Sequence, residues 1–322
     1  MINKFKDDFF WMLRESKGYF PWVDRSSCTL RRLLHTCDRH YKYMKCGGDE
    51  LAPRDLIKAL TSETVCRNGL IDLFFKAVMR AEIRFISRYA PQRSHEERLT
   101  GNLVSEIDNS IYLIKDEFKD LSVKYYSEMK EIDFFYFDLS KGGKIEKDTG
   151  ADLGFVLIVD LPDYPFTVKS FVLQAKKINN KVQIDSNQYK TLSNLNEENC
   201  GYLFYDMNFT TLSSPMVLRI KDYPLEDKCE ESKKNKTKSF YLDLNDIYRG
   251  EPLSFFLISD FLNKKYGKQH NSLEGALDYF NKLCGDNPNE DSLQFNGRVG
   301  IVCLGKKINY NISHNESFRI SI

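Results

Sequence analysis

Between Gly150 and Ile178 the chain reads GADLGFVLIVDLPDYPFTVKSFVLQAKKI, a pattern that commits it to a fold with at least two buried strands. The first run, FVLIVD, is rich in β-branched and aromatic residues of strand type. The LPDYP that follows holds two prolines, which lack an amide donor and cannot continue regular structure. The second run, FTVKSFVLQAKK, resumes strand character, so the stretch predicts a β-turn-β unit. Strand side chains repeat every two residues, which puts Val172, Gln174 and Lys176 on one face and Lys177 on the other. Asp152 stands at the start of the first strand. A carboxylate, an amide oxygen and an ammonium gathered this way can hold a divalent cation and polarise a water beside it, the outline of a hydrolytic site.

The flanking sequence supplies helices. Apolar residues at steps of three and four (Phe9, Met12; Leu56, Leu60) predict a helical N-terminal region over 1–92. Arg31, Arg32, Arg39, His40 and Lys42 make it locally basic, either a DNA-contacting surface or a solvated face, without a helix-turn-helix signature. The run from Glu63 to Tyr89 predicts a core helix closed by Pro91. A second helix is expected from Ser94, where Ser-His-Glu-Glu has the capping-box form, and it carries the stripe Leu99, Leu103, Ile107, Ile111 and Ile114.

Val123–Tyr126 reads as a strand start and Ile132–Leu139 as a strand. After the central stretch come a helix over Ser186–Leu195 and strands at Gly201–Asp206 and Pro215–Ile220. The order helix, three strands, helix, strand defines a core over 93–222. CEESKKNKTK, ending at Lys238, reads as a polar loop whose lysines either meet phosphate or are solvated. Helices at Leu253–Lys265 and Ser272–Leu283 and a strand at Gly300–Leu304 make 223–322 a mixed region that completes or flanks the core. The fold class expected is α/β (α+β), a mixed sheet flanked by helices.

Composition narrows the function classes. A net charge of +1 gives no global case for nucleic-acid binding, so any basic surface must be local. No apolar run approaches the roughly 18 residues that span a bilayer, and MINKFKDDFFWML is too charged for a secretory signal, so a cytoplasmic protein is expected. The eight cysteines form no CxxC pair, which argues against structural zinc; Cys37, His40 and Cys46 lie close enough for a metal reading, but reduced, partly buried thiols are the better account.

A helix with glutamates, then GAD followed after 21 residues by QAK on adjacent strands, then a helix and a strand, resembles the PD-(D/E)XK nuclease superfamily in its Mrr-like variant, whose second motif is Gln-x-Lys. The resemblance covers Ser94 to Asp206 and implies a restriction-endonuclease-like core. It makes Asp152 the cation-ligating aspartate and Lys176 the lysine that orients or activates the attacking water. Gln174 stands where many members have Asp or Glu and contributes a dipole instead of a charge, so a carboxylate on the preceding helix gains weight: Glu97 first, Glu106 second. Glu146, just before Asp152, is a further candidate.

With the backbone carbonyl of Ala175, these residues would ligate Mg2+, or Mn2+ as a substitute. Lys177, Lys181 and Gln188 are the candidate nucleic-acid contacts. The resemblance implies an endonuclease acting on DNA, with RNA as the other substrate, in prokaryotic restriction or anti-phage defence, as a homodimer or with a defence-system partner. The alternative is a catalytically inactive nuclease-fold protein that binds nucleic acid or scaffolds a complex, as Gln174 permits.

Overall fold

In the computed structural model, which describes residues 66, 68–89, 94–138, 152–179, 181–206, 214–222, 228–230, 238–247, 249–262, 266–283, 298–306, 309–312 and 318–321, the chain forms a mixed sheet between two layers of helices. The basic N-terminal segment, Cys37, His40, Cys46, Glu146 and lysines 233, 234 and 236 lie outside the described residues.

Helix α1 runs Gly69–Arg88, and α2 runs Glu96–Tyr126. Strands β1 (Glu131–Asp138), β2 (Leu153–Val159), β3 (Thr167–Ile178) and β4 (Lys181–Asp185) follow, then α3 (Ser186–Ser193), β5 (Cys200–Asp206), β6 (Met216–Arg219) and β7 (Ser239–Asp243). A short α4 (Leu244–Ile247) leads to β8 (Glu251–Pro252), α5 (Leu253–Phe255), which continues as a π-helix over Phe256–Leu262, and β9 (Lys268–His270). Helix α6 (Leu273–Leu283), β10 (Arg298–Gly305), β11 (Asn309–Ile312) and β12 (Phe318–Ser321) end the chain.

The main sheet has eight strands in the order β1-β10-β2-β3-β5-β6-β8, with β9 pairing β3. β2 is antiparallel to β3, and β3 is parallel to β5. β10 lies between β1, its antiparallel neighbour, and β2, its parallel one. The C-terminal region therefore completes the central sheet. β4 and β7 form a separate antiparallel ribbon.

The period-two rule places the helical layers. Even-numbered residues of β3 face α3 and α6: Lys176 reaches Gln188 of α3, and Gly154, in register with Val172, sits under Phe280 of α6. A Cβ on Gly154 would lie 2.5 Å from that ring, so the glycine permits the close approach. Odd-numbered residues face α1, α2 and the π-helix. Phe171 packs on Phe256 at 4.8 Å between centroids, and Tyr205, in register with Lys177, packs on Phe85 and meets the Thr100 hydroxyl at 2.9 Å. The apolar stripe of α2 is buried as its spacing predicts and extends to Phe118. Val123–Tyr126, expected as a strand start, is instead the last turn of this helix, ended by Ser127 in the left-handed conformation at φ 55.

Two buried ionisable side chains clamp the ends of the α5–π segment. Glu82 of α1, 2% exposed, accepts from the Ser254 amide at 3.0 Å and the Ser254 hydroxyl at 2.6 Å. Lys169 of β3, 1% exposed, donates to the Phe261 carbonyl at 2.7 Å. The cation at the end complements the helix dipole, while the acid at the start serves as a hydrogen-bond partner for Ser254. Burial pushes the Glu82 carboxyl up from 4.5 to about 8, although its hydrogen bonds to Ser254 pull the other way.

A raised folded-state value means that the folded protein holds a proton the unfolded chain has lost, from pH 4.5 up to about 8. The stability due to the neutral carboxyl is complete below that window, falls by up to about 1.4 kcal/mol per pH unit within it, and is gone above it. Glu82→Gln should remove this dependence. Urea midpoints of wild type and variant should diverge between pH 5 and 8, with the variant gaining relative stability as pH rises, and parallel curves would refute the assignment.

Candidate active site

The site forms where the sheet opens. β3 pairs with β2 from Thr167 to Leu173 but continues to Ile178. Val172 donates its amide toward β5, to the Asn199 carbonyl, so residues 172, 174 and 176 turn their backbone groups that way and 173, 175 and 177 turn theirs toward the β2 side. Among the described residues, side chains and not a strand meet the amides of Ala175 and Lys177. Asp152, whose own amide donates to the Leu173 carbonyl, accepts the Ala175 amide through Oδ2 at 2.8 Å. The same oxygen accepts Gln174 Nε2 at 2.6 Å. Because N–H and C=O of one strand residue share a direction, the Ala175 carbonyl also faces the opening.

An ionised carboxylate can only accept, so the Gln174 amide must turn its nitrogen to Asp152 and its oxygen away. That oxygen, Oε1, is buried without a hydrogen-bond partner on a residue 1% exposed. A buried acceptor left unmet costs about 1–3 kcal/mol, which a water or a cation would offset.

A cleft of about 580 Å³ lies against this opening, lined by His95, Glu96, Glu97, Arg98, Asp152 and Lys177. Helix α2 starts one residue later than the capping-box reading: His95 is the N-cap and makes no side-chain cap bond. Glu96 and Glu97 thus occupy the first turn, where negative charge complements the helix dipole. Glu97, the first-choice helix carboxylate, lines the same cleft as Asp152. Glu96 Oε1 accepts the Lys177 amide at 2.9 Å, and the Lys177 ammonium donates to the Ser94 carbonyl at 3.1 Å.

The other candidates are distributed as follows. Lys176 projects from the opposite face of β3 and donates to Gln188 Oε1 at 3.1 Å; the cleft lysine is Lys177. Gln188 stands in the first turn of α3, which is capped by Asp185. Lys181 is exposed at the start of β4, in register with Asp243. Glu106 is 2% exposed and paired with Arg84 at 2.9 Å and Arg88 at 3.3 Å, in the interface of α1 and α2. Glu96, His95 and Arg98 were not singled out as site residues by sequence; their signal was adjacency to Glu97 at a helix start.

Among the described residues no group of three or more His, Cys, Asp or Glu side chains converges as a metal centre. The oxygens at hand in the cleft are the carboxylates of Asp152 and Glu97 and the Ala175 carbonyl, while Gln174 Oε1 is turned away from Asp152, on the strand face that Lys176 shares. All are hard donors, and magnesium needs only one or two carboxylates because it keeps several waters. The donor chemistry therefore fits a hard divalent cation. Among the described residues no helix is long and apolar enough to cross a membrane. No protein family, curated protein or solved structure matches the chain.

Proposed function

We propose that the chain is a metal-dependent nuclease that hydrolyses phosphodiester bonds, with DNA as its substrate and Asp152, Gln174, Lys176 and Glu97 as its working residues. The observation that carries this reading is the opened strand edge, where Asp152 is fastened to Gln174 and Ala175 while Glu97 lines the same cleft.

Mg2+ or Mn2+ would be held by Asp152, Glu97 and the Ala175 carbonyl, with Gln174 orienting Asp152 through its amide nitrogen. When bound, the cation polarises a phosphate oxygen and lowers the pKa of a water. The chain does the rest. Lys176, held by Gln188, sets a positive charge near the strand that bears the ligands. Lys177, Arg98 and His95 would supply donors for phosphate oxygens along the cleft, and exposed Lys181 at the start of β4 is a further proposed contact. A restriction or anti-phage setting, with a homodimer or a partner protein, is proposed from the resemblance to the PD-(D/E)XK superfamily. A cytoplasmic location accords with it.

One observation favours the non-cleaving alternative: Lys176 bonds Gln188 on the face opposite the helix that carries Glu97. The two readings part in a substrate panel. Purified wild-type protein should nick plasmid in Mg2+ or Mn2+ and stop in EDTA, while Lys176→Ala should lose about 10²–10³-fold in rate. Equal nicking by both proteins, or none by either on duplex DNA, single-stranded DNA and RNA, would defeat the nuclease reading.

A further inference from the structure

We infer that Glu96 is a positioning residue of this site, whose carboxylate fastens the first turn of α2, and Glu97 with it, to the strand that carries Gln174. The inference rests on the hydrolytic reading of the cleft for its consequence, but its geometry stands independently. Two successive amides on the open edge of β3 are met by acids: Ala175 by Asp152 at 2.8 Å, and Lys177 by Glu96 at 2.9 Å. The two carboxylates continue the ladder that β2 leaves at Leu153.

The contact is reciprocal. Glu96 takes the Lys177 amide, and the Lys177 ammonium takes the Ser94 carbonyl just ahead of the helix. This clasp joins the start of a 31-residue helix, stiff along its length, to the end of a central strand. Glu97 is the next residue on that helix, so its place relative to Asp152 follows from the clasp. Ala175, fully buried between the two fastened positions, would keep its carbonyl on the same edge.

What the clasp needs from Glu96 is an oxygen at the right reach, not a charge. An amide oxygen at the same length accepts the same N–H, whereas an aspartate keeps the charge but falls one methylene short. A direct cation ligand would behave in the opposite way. The discriminating set is therefore Glu96→Gln against Glu96→Asp and Glu96→Ala.

Hydrogen exchange at the Lys177 amide reads the clasp itself. Protection should persist in Glu96→Gln and fall by about tenfold or more in the Asp and Ala variants. Mn2+ affinity, measured by electron paramagnetic resonance, should follow the same order, weakening about tenfold in Asp and Ala while Gln stays near wild type. In cleavage, kcat should fall for Asp and Ala with KM for DNA unchanged. Loss in Glu96→Gln with retention in Glu96→Asp would make Glu96 a ligand and overturn the proposal, as would unaltered exchange in all three. If wild-type protein neither binds Mn2+ nor cuts nucleic acid, the hydrolytic reading fails, and the exchange order alone decides the clasp. Should Glu96→Ala fail to fold, the Gln and Asp pair carries the test.

Discussion

Replacing Asp152 with asparagine is expected to lower the rate of Mg2+-dependent strand cleavage by about 10³-fold while leaving the fold intact. Asparagine retains an oxygen that can accept the Ala175 amide, which Asp152 Oδ2 holds at 2.8 Å, so the opened edge of β3 keeps its cover. What disappears is the charge. With Gln174 neutral, Asp152 is the one acid of the central β2–β3 pair at this opening among the described residues, and Glu97 alone would be left to neutralise a divalent cation. A thermal midpoint within a few degrees of wild type, together with the lost rate, separates this effect from unfolding. Wild-type cleavage by the variant would remove Asp152 from the chemistry.

Glu106→Ala is expected to act on stability and not on the site, at a cost of about 3 kcal/mol. Its carboxylate is 2% exposed and receives Arg84 Nε at 2.9 Å, Arg88 Nη1 at 3.3 Å and the Tyr89 hydroxyl at 3.4 Å. Truncation would take a buried carboxylate from the Arg84 guanidinium between α1 and α2, while half-exposed Arg88 would be rescued by water and contributes little. The urea midpoint should fall accordingly, and the residual activity should track the folded fraction. A stable Glu106→Ala protein with selectively lost cleavage would instead restore Glu106 as the helix carboxylate of the site.

The centre of the fold was legible because its signals are local. FVLIVD and FTVKSFVLQAKK are strands by composition, and the 3.6-residue stripe of α2 survives intact. Pairings between distant segments were not. β10 inserts between β1 and β2 although Val299 is 145 residues after Gly154, its partner in register (299 − 154 = 145). Nothing in GIVCLG announces that neighbour. The β4–β7 ribbon escaped for the same reason, since α3, β5 and β6 lie between Lys181 and Asp243 along the chain.

At the site, alternation correctly separated Lys176 from Lys177. A period of two cannot say which face a helix will cover, and α2 covers the Lys177 face. The ion pairs of Glu106 cross from one helix to another, so spacing along α2 gave no hint of them.

The most direct test is the rate at which supercoiled plasmid is lost in Mg2+, measured side by side for the full wild-type chain and Asp152→Asn. The account predicts cation-dependent loss for wild type that EDTA abolishes, and a rate about 10³-fold lower for the variant. Equal rates for the two proteins, or wild-type cleavage that persists in EDTA, would contradict it.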